Sequence, residues 1–258
     1  MSIFGKLKSE GLEESQDRLG GYAAKETDIY TGKIKMAYAG KAKSGAQSVT
    51  IIQDQGGTEY RETIYVTNKA GENWFLNKDD KSKKVPLPGF TIMDDICMVT
   101  VGCGLAEIET EEKMVKIYDP DQKKELPKAV HVLTPLIGQE VSLGIRKVLE
   151  NKSKKEGDEY VPTSEERTSN VIEKVFHTET KMTVAEGRQG LDAGVFWDAW
   201  LEKNKGQVQD KRTIKDGVQG APVAGRVGTG APPKAANQGS APAAAQARKS
   251  LFGAAKAP

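Results

Sequence analysis

The sequence predicts a mainly β protein with an appended helix and a basic, disordered tail, and three observations carry that expectation. From Asp28 the hydrophobic pattern has period two, after His177 it has the period of a helix, and from Gly206 it has none. These changes divide the chain into an N-terminal arm (1–26), a β-domain (27–180), a helical segment (181–205) and a flexible tail (206–258).

In the arm, Ile3, Phe4, Leu7, Leu12 and Leu19 fall at loosely helical intervals broken by Gly11 and the Gly20-Gly21 pair. In DIYTGKIKMAYAG, Tyr30, Ile34, Met36 and Tyr38 take one parity and Thr31, Lys33, Lys35 and Ala37 the other, which predicts a strand with one buried face. The loop KAKSGAQ leads to SVTIIQD, and a QGG turn leads to TEYRETIYVTN, so the first three strands form an antiparallel meander. In the third strand Tyr60, Ile64 and Val66 share the core parity, and Arg61, Thr63 and Tyr65 face outward.

Residues 68–89 form a long connection around a Trp-Phe-Leu anchor. The apolar segment FTIMDDICMVTVGCGLAEIET leaves helix and strand both open, although TIMDDICMV fits a short helix capped by Thr91. KMVKIYD and AVHVLTPLIG read as strands, and QEVSLGIRKVLENK and SNVIEKVFH as the last two. The stretch KSKKEGDEYVPTSEERT between those two is too long for a turn and reads as a functional loop. Thr183 with Glu186 matches a capping box, and Leu191, Val195, Phe196, Trp197, Trp200 and Leu201 form one wide apolar face. Beyond Gly206, Ala, Gly, Pro, Gln, Lys and Arg give a composition that buries too little to fold.

The composition narrows the chemistry. Lys+Arg 38 nearly cancels Asp+Glu 36, yet from Lys211 onward Asp216 is the only acid among eight basic residues. No apolar run approaches the roughly 18 residues of a membrane span, and the acids of EGLEESQD do not suit a secretory signal. A cytoplasmic protein is expected. Cys97 and Cys103 have neither disulfide-framework nor zinc spacing and read as reduced core residues. His131 and His177 lie within strand-like runs, no Walker motif occurs, and GCG at 102–104 lacks the remainder of a dinucleotide fingerprint. A non-enzymatic chain with no cofactor and no metal is therefore expected. The competing enzyme reading is a Mg²⁺-dependent nuclease built on Asp94-Asp95 or on Glu107, Glu109, Glu111 and Glu112.

Antiparallel strands, an insertion after the third, a basic loop after the first and a long loop before the last match the plan of an OB-fold, a five-stranded antiparallel Greek-key barrel. Single-stranded nucleic acid lies on the early strands of such folds, between those two loops. Here that surface carries Lys33, Lys35, Arg61 and Tyr65, with Lys41 and Lys43 in the first loop. The second loop adds Lys152, Lys154, Lys155, Tyr160 and Arg167. Tyr38, Tyr60 and Trp74 are further candidate stacking platforms, although each is equally suited to a core.

The runs YTGKIKMAYAGKAKSGAQSVTII, QEVSLGIRKVLENK to SNVIEKVFH, and GLDAGVFWDAWLEKNKG resemble the single-stranded DNA-binding proteins of podovirus-type bacteriophages over about residues 25–205. The resemblance implies a protein that protects single-stranded DNA during phage replication and recombination in the bacterial cytoplasm. It also implies recruitment of replication, recombination or transcription proteins through the tail. Such proteins typically end in an acidic tail, whereas this one is basic and suits phosphate contacts or partner docking. A structural or assembly component of the phage particle is the alternative reading. Finally, MSIFGKLK at the start echoes KSLFGAAK near the end. Arg248, Lys249, Leu251, Phe252 and Lys256 thus form a candidate docking peptide for a partner protein or a second copy of the chain.

Overall fold

The protein is described from a computed structural model covering residues 24–119, 122–156 and 159–214. The arm before residue 24 and the tail beyond 214, with Arg248, Lys249, Leu251, Phe252 and Lys256, lie outside the described residues.

The expected meander is present as β1 (Asp28–Lys41), β2 (Gln47–Asp54) and β3 (Glu59–Tyr65). Their inward side chains, Ile34, Ala37, Val49, Ile51, Tyr60 and Ile64, belong to the main core. Gly32 permits close approach of β1 to β2, since a Cβ there would lie 2.1 Å from the carbonyl oxygen of Asp54. The single parity expected for β1 is wrong. A bulge between Ile34 and Met36 inserts one residue, so Ile34 and Ala37 point into the main core. Met36 and Tyr38 point to the opposite face, where Tyr38 packs with Ile52 and Val132.

A small two-stranded sheet, β4 (Trp74–Leu76) and β5 (Lys84–Pro86), precedes helix α1 (Pro88–Thr100). The helix begins earlier than expected, with Leu87 as its N-cap and a proline in its first turn. Thr91 is therefore internal and donates its hydroxyl to Leu87 O at 3.3 Å rather than capping. Met93, Ile96 and Cys97 bury one side of α1 in the core, and burial pushes the Cys97 thiol up to about 12.

The hairpin β6 (Glu111–Asp119) and β7 (Lys124–Val132) meets β1 through Tyr38 and Val132. Its inner side chains Val115, Ile117 and Val130 cover the Tyr38–Ile52 patch on the outer face of the meander. Strands β8 (Glu140–Glu156) and β9 (Glu159–Phe176) follow. The expected functional loop at 152–168 is instead the continuation of this pair, a long two-stranded ribbon paired from Glu150–Arg167 to Glu156–Glu159, with a register shift between Asn151 and Ser153. Polar residues on both faces of a solvated ribbon remove the apolar alternation by which a strand is read.

The main sheet has eight strands, with β10-β8-β1-β2-β3 as its path, β9 on β8, and β7 with β6 on β1. The chain is thus mainly β and largely antiparallel. The five-stranded closed barrel expected from the sequence is not formed by ladders: among the described residues none pairs β3 with β9.

The single helical segment expected after His177 is two helices, α2 (Val184–Arg188) and α3 (Phe196–Asn204). Thr183 and Glu186 form the capping box at α2 as read from the sequence. Gly190, at φ 71, and Gly194, where a Cβ would lie 2.2 Å from Lys181 O, turn the chain between the helices. Leu191, Val195 and Phe196 are consequently exposed, and Trp200 is the anchor buried in the fold. The segment from Gly206, expected to begin the flexible tail, forms β10 (Val208–Asp210), which runs parallel to β8. Three residues are too few to show a period, and their pairing is with a strand some 60 positions away.

Candidate nucleic-acid interface

Cross-strand register shows which outer side chains are neighbours. Met36 faces Ile52 and Ile52 faces Arg61; further along, Gly40 faces Ser48 and Ser48 faces Tyr65. At the other end Lys33 faces Asp54, which faces Glu59. Lys33, Arg61 and Tyr65 therefore share the outer face of the meander, spread along it from one end to the other. Tyr65 is 54% exposed, enough to present a ring face, whereas Tyr60 is buried and donates its hydroxyl to Glu62 at 2.5 Å. Tyr38 is covered by the β6–β7 hairpin, which removes it as a stacking platform.

The cations on this surface are not equivalent. Lys33, Lys41, Lys43, Arg61 and Lys154 have no ion-pair partner among the described residues. Lys35 is paired with Glu59, and that hydrogen bond raises its pKa. Arg167 is held by Glu150 at 3.0 Å and Lys152 by Glu165 at 2.9 Å. Lys41 ends β1 and Lys43 lies in the loop after it, next to the Tyr65 end of the face.

Lys154, Lys155 and Tyr160 sit near the ribbon tip, where Lys155 is in register with Tyr160 and Tyr160 is 71% exposed. The ribbon leaves the sheet beyond the start of β1, so these residues and Lys41 lie toward opposite ends of that strand. Trp74 is half-buried in the small sheet with the Lys84 ammonium 3.8 Å from its ring centroid, so one of its faces is taken.

Two outward residues escaped the sequence reading. Met114 (66% exposed) and Tyr118 (52%) flank Lys116 on the outer side of β6. Their signal was the parity of KMVKIYD, where Met114, Lys116 and Tyr118 alternate with the inward Val115 and Ile117.

The two aspartates proposed for a metal site are separated in role. Asp94 accepts the backbone N–H of Leu105 at 2.8 Å and fixes the turn after α1. Asp95 lines a cleft with Arg146, Glu173 and Lys174, and burial raises it to about 6. Among the described residues no three or more His, Cys, Asp or Glu side chains converge on a cation-sized site. His131 is exposed on β7; His177 is half-buried beside Thr180, and burial lowers its pKa. No helix among the described residues is long and apolar enough to cross a membrane.

No protein-family model, curated protein or solved structure matches the chain.

Proposed function

We propose that this chain is a non-enzymatic, largely sequence-independent single-stranded DNA-binding protein with an open OB-like fold. The observation that carries the reading is the shared outer face of β1–β3, where Lys33 and Arg61, with no ion-pair partner among the described residues, accompany an exposed Tyr65. Phosphates are attracted by cations free of carboxylate partners, and bases stack on exposed aromatic rings with little regard to sequence. Strand order supports the fold assignment. A meander, a helix after its third strand and a final hairpin whose first strand returns beside β1 follow the OB plan, with β6–β7 as an insertion.

In this reading Lys41 and Lys43 flank the DNA at one end of the face, and the ribbon with Lys154, Lys155 and Tyr160 extends it at the other. The resemblance to podovirus-type proteins supports a role in protecting DNA during phage replication and recombination within the host cytoplasm. Recruitment of replication or transcription proteins is then assigned to the tail. The deciding measurement is a fluorescence titration of the full chain with oligo(dT), duplex DNA and RNA across a salt series. Saturable binding of oligo(dT) that weakens steeply with salt is expected. Undetectable or salt-insensitive binding would reject the reading.

A further inference from the structure

Between the loop end of β1 and β2, strand β7 and the turn after α1 lies a cleft of about 790 Å³. Val49, Val66, Phe90, Leu105 and Val130 give it apolar walls. That volume is in the range, about 300–1,000 Å³, of pockets that hold compact apolar groups. One wall is the segment 105–110, which carries exposed Glu107 and Glu109 and runs directly into exposed Glu111 and Glu112. The cleft thus combines an apolar interior with a mixed rim, basic at Lys41 among its lining residues and acidic along 107–112, where Glu111 is already paired with Lys113.

The complementary chemistry is in the same chain. Beyond Gly206, Phe252 is the only aromatic residue and Leu251 the only leucine, and Arg248 and Lys249 precede them. We propose that the cleft receives the segment Arg248–Phe252 of its own chain, with Leu251 and Phe252 inside and Arg248 and Lys249 against the acidic stretch of the rim. The reach is sufficient. Leu251 lies 37 positions beyond Ile214, and a chain of that length extends to roughly 120 Å. Ile214 is tied to Asn151 on β8, and the path from there along β8 and β1 to Lys41 is about 70 Å at strand spacing. Tethering also converts docking into an intramolecular event with an effective concentration near the millimolar range, so a short anchor suffices and remains displaceable.

The position of the cleft gives docking a consequence. Gly40 and Ser48 line it and are in register with Tyr65, so a docked segment lies at the Tyr65 end of the outer face. A basic tail cannot imitate DNA, but it can occupy a cleft with an acidic stretch on its rim beside the DNA path. The docking itself does not rest on the DNA-binding reading.

The test uses a fluorescein-labelled peptide of residues 244–258 and no DNA. It is titrated with the full chain, with Phe252→Ala, and with Phe252→Ala combined with Ala106→Trp, which places an indole at the cleft wall from an exposed position. The peptide is expected to bind Phe252→Ala saturably and at least about fivefold tighter than the wild-type chain, whose own tail competes. Ala106→Trp should weaken it about tenfold or more. If that variant misfolds by circular dichroism, Glu109→Lys on the exposed rim takes its place, with weakening again expected. Equal affinity for wild type and Phe252→Ala, or insensitivity to the cleft variant, overturns the proposal. So does a wild-type dimer that Phe252→Ala converts to monomer, since the tail would then dock on a second copy. None of these outcomes changes the oligo(dT) titration, so the two readings fail separately.

Discussion

The side-chain carboxylate of Glu62 accepts the backbone N–H of Ile172 at 3.0 Å, and this contact joins β3 to β9 where no ladder does. The same oxygen accepts the Tyr60 hydroxyl. One side chain thus satisfies a backbone donor that an adjacent strand would otherwise pair. Glu62→Ala removes the acceptor for both groups and is expected to cost about 1–3 kcal/mol. The readout is a lower urea midpoint at unchanged slope. An unchanged midpoint would mean that water replaces the carboxylate without loss and that the seam is held by packing alone.

The pairing state of each cation ranks the DNA-binding variants. Tyr65→Ala should weaken oligo(dT) binding by about 1–3 kcal/mol, the worth of one stacked base. Arg61→Ala should weaken it and also reduce the magnitude of the log–log salt slope by roughly 0.7, the value for one lost phosphate contact on a single strand. Lys35→Ala should do distinctly less, because Lys35 is already engaged by Glu59. A loss at Lys35 equal to that at Arg61 would show that DNA breaks the pair and that pairing in the free chain is no guide.

What the sequence made readable was local chemistry. The outward parity of Arg61 and Tyr65, the burial of Tyr60 and Ile64, and the Thr183–Glu186 box all depend on residues within a few positions of one another. The bulge at Lys35 was hidden because a one-residue insertion leaves short-range alternation intact on either side of it. The ribbon was hidden because both of its faces are polar, and β10 because three residues carry no period. Within the candidate site, the sequence supplied the identity of the cations. It could not supply their partners: Glu59 reaches Lys35 from two strands away, across β2, and Glu150 reaches Arg167 from the neighbouring strand.

Residues 213 and 214, after β10, are held by the side chain of Asn151. Asn151 Oδ1 accepts the backbone N–H groups of Thr213 and Ile214 at 2.8 and 2.9 Å, and its Nδ2 donates to Ile214 O at 3.1 Å. Asn151→Ala should release this segment and accelerate tryptic cleavage after Lys211 and Arg212 several-fold, consistent with losing about 1–2 kcal/mol of local stability. Cleavage at the wild-type rate would assign the anchoring to the Arg212 pairs with Asp210 and Glu166 instead.

Glu62 and Glu186 should titrate with opposite effects on stability. Burial raises Glu62 above its ordinary 4.5, and the hydrogen bonds from Tyr60 and Ile172 offset only part of that. The folded chain therefore holds this proton more tightly than the unfolded one. Its contribution is full below about 4.5 and declines as pH rises through the folded value. Burial also pushes Glu186 upward, but the N–H groups of Thr183, Phe196 and Val195 outweigh it and hold the carboxyl below 4.5. That contribution is present above 4.5 and is lost as pH falls through the depressed folded value. Thermal melts of Glu62→Gln and Glu186→Gln between about pH 3 and 7 separate the two. The advantage of wild type over Glu186→Gln should shrink toward acid, and its standing relative to Glu62→Gln should improve. Parallel trends for the two variants would place the pH response elsewhere in the chain, because desolvation and backbone donors act on a carboxylate in opposite directions.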